Sequence, residues 1–272
     1  MLQVWGISGE EVASVPVAEM HDVRTLKQSL QKVCGLPRFR QRLLHDGRDL
    51  EDVARLEMVQ DVQLVLLDFC PVSHHEARHL FKAADGGMVL EVEKALQRPQ
   101  DPNQTTSPTH PTPLNRAARN GHMEVVHLLL EATADLERYH YHSGCTALGS
   151  AAGFGHVEIV RLLLVAGGKV NNGATTALFR AASTGHEEIV GILLEARAAV
   201  DVGTRLEGRT ALGVASYNGH AKTVALLLQA RADTDQACGW EGETALSLAA
   251  KQGHHEVVRL MTHEGTPTCG SL

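Results

Sequence analysis

The chain has 272 residues, of which 43% are hydrophobic and 21% are charged, and its formal net charge is −7. This composition is ordinary for a globular protein and excludes wholesale disorder. The mild negative charge comes without a basic stripe, which argues against nucleic acid as a partner. Aromatic residues make up only 4%, so Leu, Val, Ile and Ala must build the core, and these small aliphatic residues favour repetitive helical packing.

Cysteine usage and the lack of targeting segments indicate the cellular compartment of the protein. Five cysteines lie far apart without a CxxC pair, which is typical neither of a disulfide framework nor of a zinc site. We therefore expect reduced thiols and a cytoplasmic protein, with a nuclear location as the alternative. The N-terminus lacks the order of a signal peptide, and no apolar run approaches the roughly 20 residues that span a bilayer. The sequence predicts no membrane insertion.

The first seventy residues predict a small mixed domain. Residues 2–5 and 12–17 have the composition of two strands joined by a turn. A helix is predicted over 23–34, because an Asp precedes it as an N-cap and a Gly and a Pro follow it. Later strands are predicted at 42–44 and 63–67. A hairpin, a helix and two further strands follow each other in the order of a β-grasp fold.

The segment GLPRFRQRLLHDGRDLED, residues 35–52, is similar to the corresponding stretch of ubiquitin. The resemblance covers residues 1–68, so we assign residues 1–70 to a ubiquitin-like domain. No Gly-Gly pair follows Leu67, which indicates a fixed fusion rather than a transferable tag. The resemblance implies a recognition patch on the sheet. Its matching residues are Ile7, Arg42, Leu44 and Val65. Alternatively, Leu44 and Val65 pack on the segment that follows, or are scattered surface residues.

The rest of the chain contains an internal repeat. Gly-His pairs begin at residues 121, 155, 185, 219 and 253, with spacings of 34, 30, 34 and 34 residues. Upstream of them stand the blocks TPLNRAA, TALGSAA, TALFRAA, TALGVAS and TALSLAA. In each block the Thr is a helix N-cap, the Ala pair allows close packing, and the Gly ends the helix. An apolar second helix follows each pair, and a degenerate first copy precedes the five.

These repeats closely resemble those of the ankyrin family over residues 74–265, leaving a short C-terminal tail at 266–272. The resemblance implies an α+β chain: a β-grasp domain followed by an all-α solenoid of about six repeats. It also implies a loop, or finger, before each Thr. The fingers are 101–111, 135–145, 169–175, 199–209 and 233–243, and the third is four residues short.

Ankyrin partners lie along the finger tips and the exposed positions before each Gly-His pair. By resemblance the partner-binding candidates are Arg119, Asn120, Phe154, Tyr217, Asn218, Lys251, Gln252, and Tyr139, Tyr141 and Trp240 on fingers. We expect Phe154 and Tyr217 to be anchors, because each replaces a small or polar residue of the sister repeats. The alternative is that both rings pack locally beneath a finger.

Catalytic and metal chemistry find little support in the sequence. Sixteen histidines are present, but five follow the repeat glycines and are predicted to be structural. His140 and His142 lie two residues apart, and two ligands are too few for a tight metal site. No P-loop, GxGxxG, kinase motif or nucleophile elbow occurs. We expect a non-enzymatic protein without cofactor or metal.

The sequence therefore predicts a scaffold or adaptor. The concave ankyrin face would bind a protein, and the ubiquitin-like domain would engage a second partner of the ubiquitin system. A structural spacer without a specific partner is one alternative. An enzyme subunit or metal sensor is another, and it would require further ligands converging on His140 and His142.

Overall fold

The computed structural model describes residues 1–16, 20–56, 59–70, 73–105, 107, 109–140, 144–173, 175–204, 208–238 and 242–264. The predicted tail, 266–272, lies outside these residues. The N-terminal part contains five strands, β1 (Leu2–Trp5), β2 (Glu11–Val15), β3 (Gln41–His45), β4 (Arg48–Asp49) and β5 (Asp61–Leu66). Their order in the sheet is β2-β1-β5-β3-β4, with β1 and β5 parallel and the other pairs antiparallel. This mixed sheet is compatible with a ubiquitin-like domain.

One helix, α1 (Val23–Cys34), covers one face of this sheet. Asp22 caps it by accepting a hydrogen bond from the backbone N–H of Thr25 at 2.8 Å, and Gly35 ends it in the left-handed conformation. The apolar residues of α1 and those of the strands that point towards it form one core. The fully buried members are Leu2, Val4, Val23, Leu26, Leu30, Leu43 and Leu56. The helix was predicted with these bounds, whereas β4 and a 3-10 helix at Arg38–Arg40 were not predicted.

Six helix pairs follow in the described part of the chain. The first helices of the pairs, called the inner helices, are α2 (His74–Asp85), α4 (Pro113–Asn120), α6 (Ala147–Gly153), α8 (Ala177–Thr184), α10 (Ala211–Asn218) and α12 (Ala245–Lys251). The second, or outer, helices are α3 (Val89–Leu96), α5 (Met123–Glu131), α7 (Val157–Val165), α9 (Glu187–Glu195), α11 (Ala221–Gln229) and α13 (His255–Glu264). Each inner helix packs on the next inner helix and on its own outer helix.

The repeated Thr residues begin five of the inner helices. The hydroxyl oxygen of each accepts a hydrogen bond, 3.1–3.3 Å long, from the backbone N–H three residues later. Ser73 caps α2 in the same way, and Glu76 completes a capping box there. The Ala residues behind the caps are buried except for Ala250 in the last repeat, and their small side chains let neighbouring helices approach. One apolar core runs through all six pairs.

Histidines of the Gly-His pairs connect successive repeats. The ring Nε2–H of His156 donates to the carbonyl of Arg119 at 2.8 Å, and His220 donates to Ser183 at 3.1 Å. His122 and His254 make the same bond to the repeat before them. These four residues, called the histidine ladder below, have the structural role that the sequence predicts. Each ring lies against a glycine that directly follows the preceding inner helix or its C-cap, which is Gly87, Gly121, Gly185 or Gly219.

Candidate protein-binding surfaces

Two aromatic side chains stand out on the inner helices. Phe154 follows α6 and is 45% exposed, and the guanidinium of Arg119 lies 4.7 Å from its ring centroid. Tyr217 on α10 is 42% exposed, and Arg209 of the neighbouring finger lies 6.0 Å from its ring centroid. Rings that are nearly half exposed do not belong to the apolar core. Each therefore presents a large apolar surface beside a cation.

The two asparagines among the predicted site residues also hold repeats together. The side-chain amide of Asn120 donates to the carbonyl of Asp85 at 2.8 Å, and that of Asn218 donates to the carbonyl of Ser183 at 2.8 Å. Each bond spans 35 residues and joins one inner helix to the previous one. Sequence reasoning missed this second role, although the shared Asn-Gly-His triplet was the available signal.

The remaining predicted residues of the solenoid lie at its C-terminal end and on the fingers. Lys251 and Gln252 are exposed at the end of α12, and the Lys251 ammonium forms an ion pair with Glu243. Tyr139 is 53% exposed on the second finger. Tyr141 and Trp240, together with His142, lie outside the described residues. Phe154, Tyr217 and Tyr139 thus provide exposed aromatic surface at three points along the solenoid.

The ubiquitin-like patch lies on the sheet face that α1 leaves open. Arg42 and Val65 are direct cross-strand neighbours on β3 and β5, and Leu44 follows two residues further along β3. Arg42 is exposed and the two aliphatic residues are half-buried. Ile7 is 67% exposed in the β1–β2 turn. Neither Leu44 nor Val65 belongs to the apolar core of the solenoid.

A buried arginine joins the two parts of the chain, which the sequence did not indicate. Arg38 is only 1% exposed and forms ion pairs with Asp52 of its own domain, with Glu93 on α3 at 3.0 Å and with Glu131 on α5 at 2.8 Å. Burial lowers the pKa of this guanidinium, but ion pairing with Glu131 and with the other two carboxylates raises it more, so the net shift of the pKa is upward. Phe39, the next residue, packs into the solenoid core.

Further polar contacts surround this buried arginine. Arg24 on α1 pairs with Glu93 at 2.6 Å, and Lys27 pairs with Asp52 at 2.8 Å. The end of the ubiquitin-like domain also contacts the first repeat, because the backbone N–H of Cys70 donates a hydrogen bond to the carbonyl of Pro99 at 2.7 Å. We call Arg38 and its three carboxylates the Arg38 junction. It holds the ubiquitin-like domain against the outer helices of the first two repeats, and Arg42 of the sheet patch lines the same cavity as Arg38 and Glu93.

Features that would indicate other functions are lacking in the part of the chain that the structure describes. Within those residues no group of three or more His, Cys, Asp or Glu side chains converges as a metal site would require. The described cysteines are free thiols. Of the helices described, none has both the length and the apolar character needed to cross a membrane.

The architecture is a solenoid of stacked helix pairs with capping Thr, paired Ala and Gly-His ends. A family model described as ankyrin repeats matches residues 80–174, 136–205, 165–238 and 199–269. Together these matches span more than half of the chain, which therefore belongs to the ankyrin-repeat family. The crystal structure of the human ASB11 ankyrin repeat domain is similar, with 27% sequence identity and a TM-score of 0.61 over 70% of this chain and 85% of that one. No curated protein matches the sequence.

Proposed function

We propose that the protein is a non-catalytic adaptor whose inner helices and fingers bind another protein. The observation that carries the proposal is the pair of half-exposed aromatic rings, Phe154 and Tyr217, on the surface that ankyrin repeats use for protein–protein interaction. Aromatic side chains ringed by polar groups are frequent anchors of interfaces. The free thiols suit a reducing compartment, the cytoplasm or the nucleus.

We expect Phe154→Ala and Tyr217→Ala each to weaken partner binding by about 2 kcal/mol, or roughly thirtyfold, because truncation of an interface anchor has this effect. Partners captured from lysate by the wild-type chain would be identified first and then titrated against each variant. The thermal melts should stay nearly unchanged, since both rings are substantially exposed.

The matched control is Arg161→Ala on α7, whose side chain forms an ion pair with the exposed Glu188, at 3.2 Å. It should change neither the binding nor the melt. If both aromatic variants bind like the wild-type chain, the rings are not anchors. A chain that captures nothing reproducibly would instead be a spacer.

We further propose that the sheet patch of the ubiquitin-like domain engages a second protein, one that recognises ubiquitin-like surfaces. Its support is the position of Arg42, Leu44 and Val65 on a face that neither α1 nor the solenoid core covers. Arg42 lies near the Arg38 junction, since it lines one cavity with Arg38 and Glu93, whereas Leu44 and Val65 do not line that cavity.

A charge placed in this patch should remove such binding. We expect Leu44→Arg to lower the affinity for immobilised ubiquitin-binding domains at least about tenfold, because an apolar contact is replaced by an unpaired cation. Val165→Arg is the control, since Val165 is an exposed aliphatic residue on the outer helix α7. No affinity of the wild-type chain for any tested domain would reject this second role without affecting the first.

A further inference from the structure

The two sides of the solenoid differ in charge. The inner helices carry six Arg or Lys residues, which are Arg78, Lys82, Arg116, Arg119, Arg180 and Lys251, but only two acidic residues, Glu76 and Asp85. The described side chains of the outer helices include nine acidic residues against four Arg or Lys. These acidic residues are Glu91, Glu93, Glu124, Glu131, Glu158, Glu187, Glu188, Glu195 and Glu256. A chain of net charge −7 thus has basic inner helices.

Both acidic residues of the inner helices are already neutralised. Glu76 belongs to the capping box of α2, where hydrogen bonds from the backbone and hydroxyl of Ser73 lower its pKa, and it also pairs with Arg98. Asp85 pairs with Arg116 at 2.9 Å and accepts a hydrogen bond from Asn120. In the described structure no ion pair involves Arg78 or Lys82 on the same helix. These two cations are therefore available to a ligand.

These cations line a groove at the N-terminal end of the inner side. His74, Arg78 and Lys82 are spaced by four residues, which places them on one face of α2. Phe81 lies beside them, with the guanidinium of Arg116 5.6 Å from its ring centroid. Pro111 of the first finger also lines the cavity, which has a volume of about 590 Å³. Among the described residues that line it, none is acidic. We call this cavity the basic groove.

We propose that the basic groove binds an acidic segment of a partner protein, with carboxylates at Arg78 and Lys82 and one apolar side chain against Phe81 and Pro111. The proposal rests on the proposed adaptor function and specifies the chemistry of one partner. The groove combines two unpaired cations with an apolar wall, a combination that fits a peptide of acidic residues around an apolar one. Nucleic acid fits less well, because its phosphates need a longer basic track and the chain as a whole is acidic.

The test uses the full chain and a fluorescein-labelled peptide of twelve residues, ten Glu and Gly around a central Leu-Leu pair. We expect Arg78→Glu/Lys82→Glu to weaken binding of this peptide at least about tenfold, because two attractions become repulsions. The matched control is Lys94→Glu/Arg259→Glu, which makes the same change of net charge at exposed positions on outer helices. It should alter the affinity less than about twofold.

Three further measurements test whether binding of the peptide depends on charge. Arg78→Ala/Lys82→Ala should weaken binding by an intermediate amount, and a peptide with Lys in place of Glu should not bind. Raising the salt concentration should weaken the wild-type complex, since the contacts are exposed. The proposal is overturned if both charge-reversal variants bind the peptide alike, or if a twelve-residue oligothymidine binds as tightly and displaces it.

Failure of the proposal about the basic groove can also be distinguished from failure of the proposed adaptor function. Phe154→Ala should leave binding of the acidic peptide unchanged, because Phe154 does not line the groove. Loss of partner capture in Phe154→Ala together with failure of the acidic peptide would reject only the proposal about the groove. Thermal melts of all variants should coincide, since the changed side chains are exposed.

Discussion

Replacing Arg38 by Met is expected to lower the free energy of unfolding by about 3–5 kcal/mol, because it leaves the largely buried Glu131 without its cation and takes one of two cations from Glu93 and from Asp52. Glu93 and Glu131 are largely buried against the ubiquitin-like domain; Glu93 would retain Arg24, and Asp52 would retain Lys27. Met keeps much of the volume of the side chain, so the effect reports the lost charge more than a cavity. Denaturant melts followed by circular dichroism measure it.

Arg42→Met is the control for this prediction. Arg42 is exposed and its closest acidic neighbour, Asp49, lies 3.5 Å away on the surface, so we expect a loss below about 1 kcal/mol. A second observable is limited proteolysis, which should cut Arg38→Met faster near residue 70 if the two parts separate. Equal stability of the two variants would show that the junction contributes nothing to holding the parts together.

The second large effect is expected in the histidine ladder. Gly185 has a φ of 76°, and a Cβ placed there would lie 2.7 Å from the ring of His220. Gly185→Ala should therefore lose about 2–4 kcal/mol, partly from left-handed strain and partly because the ring must move away from the carbonyl of Ser183. The loss is measured in denaturant melts.

Gly253→Ala separates the two contributions. Gly253 has the same φ of 76°, but no atom lies within 4 Å of its added Cβ. This variant carries the conformational strain alone and should lose about 1–2 kcal/mol. If Gly185→Ala were no more destabilising than Gly253→Ala, the ring contact between repeats would not contribute to stability.

Sequence patterns predict the elements of this protein well because each repeat contains its own local signals. A capping Thr, an Ala pair and a terminal Gly act within eight or ten residues. The structure confirms the Thr cap in all five full copies and the Gly as C-cap in three of them, whereas the C-caps of α6 and α12 are Phe154 and Gln252. The strands of the N-terminal domain follow the same logic, although β4, with two residues, is too short to produce a pattern.

Contacts between distant segments could not be predicted in this way. Arg38 and Glu93 are 55 residues apart, and no periodicity marks an arginine that will be buried between two domains. Arg38 sits in an RFR run that looks like a surface segment, and only the docking on α3 and α5 makes it a buried ion pair. Asn120 likewise looks like a free surface amide until the previous repeat supplies the carbonyl of Asp85.

The Arg38 junction sets the geometry of any two-site binding by this chain. A flexible tether would let the distance between two ligand sites vary. Here the backbone N–H of Cys70 donates a hydrogen bond to the carbonyl of Pro99, and Arg38 forms ion pairs with Glu93 on α3 and Glu131 on α5. The sheet patch and the inner helices are thereby fixed at one separation and one orientation. A bivalent ligand gains avidity only when its own linker spans that distance. If both proposed sites bind, the chain would select among bivalent ligands by their reach as well as by their sequence.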